Sequence, residues 1–367
     1  MNDFGEEIYD KLNKIVDSIG KKATNSFVEA IKCSKMEHFR SVLPPPVYPF
    51  QLSHADHFLG IGSCFVEQIG QRLAARKFSS FYNPLGIAFN PYSVALSLDR
   101  ASQPKVYQVA DLFEYQGLWH SFDHHGSFSA SSPGQTLAGI KLAQQAAHAQ
   151  FQKASVLILT LGTANVWDHL AEKRIVSNCH KLPGHNFQRR RMDLAETVEV
   201  LGTALEACFG VHPKLQVILT VSPVRYLREG LVENARSKAT LLLATEQLCR
   251  FFDQVQYFPA YELLMDDLRD YRFYAEDLAH PNAQATDYIW DYFKNAFFDA
   301  ATQQQIQELE KLHRAVQHRP LHPDTVTHQT FLHQQLEYIT RLESKYPILD
   351  FSAEKSIFHQ QLKGDKK

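Results

Sequence analysis

The feature that most constrains this chain is a series of short apolar runs, each followed by a longer stretch with helical spacing. Phe58–Ile61, Val156–Leu161, Leu215–Val221 and Val255–Phe258 are strand-sized and rich in branched apolar residues. A strand with one face in water alternates polar and apolar residues, whereas a strand covered on both faces does not. Between the runs, Val66, Ile69, Leu73 and Ala74 recur at the spacing of one helix face. The same patterning predicts helices from Pro91 to about Ala101, over Gln135–Gln152, over Asp193–Cys208 with Asp193 as N-cap, over Glu233–Phe252 and over 283–298. A short strand is expected at 79–82 and a polar, His-rich loop at 117–134. Strands alternating with helices impose right-handed crossovers and a parallel sheet between two helical layers. The expected fold class is therefore α/β, a three-layer α/β/α sandwich around a central parallel sheet. In such sheets the ligand site lies beyond the carboxyl ends of the strands.

Two segments flank this pattern. Residues 1–35 hold no Pro and no His, and Phe4, Ile8, Leu12, Ile15 and Ile19 share one helical face. Ser26 and Glu29 have capping-box spacing. We read 1–35 as a helical appendage, an extension or fused segment, and 36–300 as the α/β domain. Residues 301–367 form a Gln- and His-rich C-terminal extension, helical near 301–317 and 328–344. Its six histidines show no fixed metal-ligand spacing.

Composition removes several function classes. The 367 residues carry 38 Lys and Arg against 40 Asp and Glu, so no basic excess exists to neutralise nucleic-acid phosphates. No run approaches the roughly 18 apolar residues of a membrane span, and the first residues are acidic where a secretory signal would be basic and then apolar. A cytoplasmic location is expected. The cysteines (Cys33, Cys64, Cys179, Cys208 and Cys249) are scattered without a C-x-x-C pair, which suits reduced thiols.

Two segments carry candidate chemistry. Gly60-Ile61-Gly62-Ser63-Cys64-Phe65 joins the first strand to the first helix. A side chain there meets the unpaired N–H groups and partial positive charge of a helix N-terminus, which favour an oxyanion. The alternative is that Ser63 simply caps the helix. Glu276-Asp277-Leu278-Ala279-His280-Pro281-Asn282 lets one loop present a base and its orienter, since an imidazole activates a hydroxyl and a carboxylate fixes the imidazole. The alternative is a surface histidine ahead of a helix.

Together these blocks resemble the GSCFA domain, a bacterial branch of the SGNH (GDSL-type) hydrolases. The resemblance runs from about Phe39 to Phe298. It rests on Gly62-Ser63-Cys64-Phe65, with Val66 where the motif has alanine, and on Asn83-Pro84-Leu85-Gly86 with Phe89-Asn90-Pro91. It continues through Trp119–His125, Leu161-Gly162-Thr163-Ala164, Asn178-Cys179-His180-Lys181, Thr220–Arg225 and Asp270–Tyr274 to His280-Pro281. It implies a flavodoxin-like fold and a triad of Ser63 as nucleophile, His280 as base and Asp277 as orienter. It further implies an oxyanion hole at Ser63, at a glycine matched loosely by Gly86, and at the asparagine of a Gly-x-Asn block. Here that block reads Gly162-Thr163-Ala164-Asn165, so Asn165 stands one place late. Cys64, at a helix N-terminus, could carry a reactive thiolate. The superfamily pattern instead favours Ser63, with Cys64 packed and pointing elsewhere.

The implied activity is serine hydrolysis of an ester, such as an acetyl group on a sugar or glycan. Acyl transfer by the same site is one alternative, and a ligand-binding protein with a degenerate oxyanion hole is another. No cofactor or metal is expected. His120, His124, Asn178, His180 and Arg225 are expected at the pocket mouth, binding substrate. A rival metal reading of His120, His124, His125, Cys179, His180 and His185 lacks a recognised ligand spacing. Arg189-Arg190-Arg191, with Arg225 and Arg228, would either hold an anionic group or form a paired basic face.

Overall fold

The structure is a computed structural model that describes residues 40–363. The helical appendage expected over 1–35 lies outside them. The described residues from Pro44 onward form one compact unit.

The chain runs β1 (His57–Gly62), α1 (Cys64–Ala75), β2 (Ser79–Tyr82), α2 (Pro91–Ser102), β3 (Phe113–Tyr115), β4 (Leu118–His120), α3 (Pro133–Lys153) and β5 (Val156–Leu161). It continues β6 (Asn165–His169), β7 (Arg174–Val176), β8 (Phe187–Arg191), α4 (Leu194–Val211), β9 (Gln216–Val221), α5 (Leu231–Phe251) and β10 (Val255–Tyr257). Helices α6 (Ala283–Phe297), α7 (Ala300–Gln317), α8 (Val326–Lys345) and α9 (Ser352–Lys363) complete it.

The main sheet is parallel throughout, in the order β10-β9-β5-β1-β2. Counting only these strands along the chain, that order is 2-1-3-4-5, the flavodoxin-like arrangement. The chain leaves β1 toward one edge and re-enters at β5 on the other side. The crevice where ligands bind in such sheets therefore opens between the ends of β1 and β5.

Side chains alternate across a strand, and both faces are used. Leu59, Ile61, Leu157, Leu159, Val217 and Leu219 face α2–α5, meeting Val94, Leu98, Phe151, Leu201, Leu241 and Leu248. Helices α1 and α6 cover the other face and are tied by the Arg72–Asp287 ion pair at 2.7 Å. Gly60 lets α1 approach closely, because a Cβ there would lie 2.6 Å from Val66 Cγ2.

Two additions were absent from the sequence expectation. The stretch expected as a polar loop holds β4, which pairs with β3 just ahead of it, and a small antiparallel sheet, β7-β6-β8, lies between β5 and α4. These strands are three to five residues long, too short for an apolar alternation to mark them. Cross-strand pairs hold them, including Arg190 on Asp168 at 2.8 Å.

The C-terminal region is helical as expected, with α9 in addition. Leu309, Leu312, Leu332, Ile339, Phe351 and Phe358 form its own small core. Ion pairs Arg76–Glu310 and Lys77–Glu354, both 2.8 Å, attach it near the C-terminal end of α1. At about 1.5 Å per residue, the length of α1 separates that end from Cys64. Among the described residues no helix is long and apolar enough to cross a membrane.

Candidate active site

Strand β1 ends at Gly62, whose φ is +141° and where a Cβ would lie 2.2 Å from Thr160 O. Only glycine makes this turn while passing so close to β5. The next residue, Ser63, is buried and caps α1. Its N–H donates to Thr160 O at 3.0 Å, and its hydroxyl is paired with Thr160 Oγ1 at 3.0 Å. Phe65 N–H donates to the same hydroxyl at 3.4 Å. The capping reading of Ser63 thus describes its position.

Cys64 is the first residue of α1, and the expectation that it points elsewhere is corrected. Its Sγ lies 3.7 Å from His280 Nε2. Rotating by about 100° per residue at a helix start aims consecutive side chains in different directions, so Ser63 turns to β5 while Cys64 turns outward. Burial raises the Cys64 thiol pKa above its ordinary value, and the Glu67 carboxylate adds to this. The N–H groups of Cys64 and Phe65, with the Lys238 charge, act in the opposite direction.

His280 and Asp277 meet as the sequence spacing predicts. Asp277 Oδ2 lies 2.6 Å from His280 Nδ1, and Oδ1 accepts from the N–H groups of Ala279 and His280, each at 3.0 Å. Leu278 adopts φ +56°, the tight turn that folds the two side chains together. Arg225 N–H donates to Ala279 O at 3.0 Å, fastening the loop to the segment after β9. The His280 backbone N–H, then that of Ala279 and the His280 ring, hold the Asp277 pKa down to about 2. An ionised Asp277 favours the proton on Nδ1 and leaves the Nε2 lone pair facing the sulfur.

A cavity of about 370 Å³ opens on this group, lined by Cys64, His280, Phe89, Gly162, Arg225 and Arg228 among others. The expected oxyanion donors are not free there. Ser63 N–H is committed to Thr160 O, and Gly86 N–H closes a turn onto Asn83 O at 2.9 Å. In the third block, the N–H groups of Gly162 and Thr163 both donate to Phe89 O, that of Ala164 to Ser237 Oγ and that of Asn165 to Thr163 Oγ1. Asn165 begins β6, is buried and does not line this cavity. The displaced asparagine therefore reflects a loop with a different anchoring.

A residue that sequence reasoning missed does that anchoring. Lys238 is fully buried, and Nζ donates to Gly162 O at 2.7 Å and Ser222 O at 2.6 Å, joining the ends of β5 and β9. Burial lowers its pKa to about 7. The signal was present, since Asn234, Ser237, Lys238, Leu241, Thr245 and Leu248 share the buried face of α5.

The expected substrate-binding residues divide. His120 is buried, held by Ser129 Oγ at 2.7 Å and Tyr115 O at 3.1 Å. His124 is buried against Ser121 Oγ at 2.9 Å. Neither lines the cavity at Cys64. Asn178 and His180 line an adjoining cavity of about 550 Å³, which shares Phe89, Tyr226 and Arg228 with the first. His180 Nε2 is engaged by Ser121 O at 2.7 Å, and Asn178 Oδ1 accepts from His180 N–H at 2.9 Å. Arg225 does line the Cys64 cavity. Among the described residues no group of three or more His, Cys, Asp or Glu is placed to hold a metal ion.

Residues 57–293 match the GSCFA family model, a span that includes Cys64, Asp277 and His280. The chain belongs to the GSCFA family. Residues 309–364 match the C-terminal domain of the GSCFA domain protein, which covers the second half of α7 and all of α8 and α9. None of the curated proteins matches this GSCFA chain. Among solved structures, one described as a platelet activating factor from Streptococcus pneumonia is 15% identical, covering 80% of this chain and 99% of that one, with a TM-score of 0.34. An acetyl xylan esterase from the rumen bacterium Butyrivibrio proteoclasticus is 12% identical, covering 71% of this chain and 67% of that one, with a TM-score of 0.33.

Proposed function

We propose that this GSCFA protein is an SGNH-type acyl hydrolase whose nucleophile is Cys64 rather than Ser63, with His280 as base and Asp277 as its orienter. The observation that carries the reading is the line from Asp277 Oδ2 to His280 Nδ1, at 2.6 Å, and from His280 Nε2 to Cys64 Sγ, at 3.7 Å. It stands at the crevice end of a doubly wound sheet, where such folds take their ligands.

The chemistry follows from the positions. The raised thiol pKa keeps Cys64 protonated at neutral pH, so a base must act as substrate arrives. His280 Nε2 takes the thiol proton while sulfur attacks the ester carbonyl. The carbonyl oxygen gains the electron pair and meets the N–H of Cys64 at the first position of α1. His280 then passes the proton to the departing alcohol. Water, deprotonated by His280, attacks the thioester and releases the acid and the free thiol. A cavity of about 370 Å³ suits a small acyl group, such as acetyl, with part of its alcohol.

The adjoining cavity of about 550 Å³ favours a second reading, acyl transfer, in which an acceptor alcohol held there takes the place of water.

The test is hydrolysis of p-nitrophenyl acetate and butyrate by wild type and by Cys64→Ala, Ser63→Ala and His280→Ala. Loss with Cys64→Ala and His280→Ala and retention with Ser63→Ala is expected. Activity retained in Cys64→Ala but lost in Ser63→Ala returns the nucleophile to Ser63, and activity indifferent to all three ends the reading.

A further inference from the structure

We infer that the cavity beside Cys64 is an anion subsite, and that the substrate of the site proposed above carries a carboxylate or phosphate group next to its acyl bond. This rests on the proposed function for its chemistry but on separate residues for its binding.

Arg225 and Arg228 both line the cavity that holds Cys64 and His280, and no Asp or Glu lines it with them. Carboxylates pair the neighbouring arginines. Arg189 meets Glu229, Arg190 meets Asp168 and Glu196, and Arg191 meets Glu233. The basic run at 189–191 is thus a paired face. Among the described residues neither Arg225 nor Arg228 forms an ion pair. Each is instead held against aromatic rings. The Arg225 guanidinium lies 4.1 Å from the Tyr274 ring centre and 5.3 Å from that of Tyr271, and that of Arg228 lies 5.7 Å from Trp167.

Arg225 also gives one N–H to the Tyr274 hydroxyl, and a guanidinium fixed over an aromatic face keeps its remaining N–H groups available. That edge matches two oxygens of a carboxylate or phosphate. Two uncompensated positive charges inside a largely apolar cleft concentrate anions there. The Arg225 backbone is bonded to Ala279 O, so the subsite is built onto the loop that carries His280. Arg228 also lines the adjoining cavity, which leaves the anion within reach of either chamber.

The test is calorimetric titration of the full-length protein with glutarate and, separately, with inorganic phosphate. Wild type, Cys64→Ala, Arg225→Gln, Arg228→Gln and the double Arg variant are compared, with melting curves confirming the fold. Arg225→Lys serves as a second variant that keeps the charge and loses the fork. The expected result is saturable binding by wild type and Cys64→Ala, at least tenfold weaker in each Gln variant and intermediate in Arg225→Lys. Preference for one probe identifies the anion as carboxylate or phosphate. No binding of either by wild type, or binding unchanged in the double variant, overturns the subsite. The two readings fail separately, since ester hydrolysis surviving in Cys64→Ala sinks the proposed chemistry while leaving the titration result to stand.

Discussion

Cys64 Sγ faces His280 Nε2 at 3.7 Å, while the hydroxyl of its chain neighbour Ser63, which lines the same cavity, is paired with Thr160 at 3.0 Å. The two residues therefore answer to different measurements. Replacing Ser63 with alanine removes a cap and a buried pairing, and we expect a loss of about 1 kcal/mol in a urea melt. Its esterase activity should stay within about tenfold of wild type, because the attacking group is untouched. A Ser63→Ala protein that is fully stable but inactive would reverse this assignment.

In the proposed triad Asp277 acts on the sulfur only through the histidine. Asp277→Asn keeps an oxygen for the Ala279 and His280 N–H groups but turns an amide N–H toward Nδ1. The imidazole is then driven to the tautomer whose Nε2 carries the proton and cannot accept one from Cys64. Activity should fall by on the order of 10³–10⁴, as for the equivalent change in a serine triad. The Asp277 and His280 side chains are each about half exposed, at 50% and 51%, so the melting temperature should hardly move. A matching loss of stability would mean that the pair is structural.

The sheet was legible because its strands are covered on both faces, so Val156–Leu161 and its parallel neighbours carry no polar register to obscure them. The loop pairing Asp277 with His280 was legible because both partners lie within one turn of sequence. The choice between Ser63 and Cys64 was not, since it depends on the rotation of the first helical turn relative to β5, which spacing does not encode. The oxyanion expectations depend on loop geometry in the same way: the Gly86 N–H closes a turn onto Asn83 O, and Asn165 begins β6 without lining the cavity at Cys64. Lys238 escaped notice because a lysine inside an amphipathic helix is ordinarily assigned to solvent, although its phase on α5 places it inward.

Two buried histidines set an acid limit on the fold. Burial lowers His124 and His180 from 6.5 to about 4 each. Between those values the unfolded chain binds protons that the folded chain refuses, so stability is complete above about 6.5 and is lost as pH falls toward 4. Each histidine accounts for on the order of 3 kcal/mol across that window. Urea melts of wild type should show this decline, and His124→Gln and His180→Asn should each flatten it. Decline of equal steepness in the variants would place the acid sensitivity elsewhere.

Lys238 acts in the same direction over a higher pH range. Its folded pKa is lowered from 10.5 to about 7, so from pH 7 to 10.5 the unfolded chain holds a proton that the folded chain has released. Stability attributable to this residue therefore rises with pH through that window, by at most about 1.4 kcal/mol per pH unit. The neutral amine still has two N–H groups, matching the two carbonyls of Gly162 and Ser222. Lys238→Met should be less stable than wild type at every pH, since it leaves both carbonyls without their buried donor, at about 1–3 kcal/mol each. The gap between the two proteins should widen as pH rises from 7 to 10. Parallel stability curves for wild type and Lys238→Met would show that Lys238 stays charged in the folded protein, held by its carbonyls more strongly than burial opposes it.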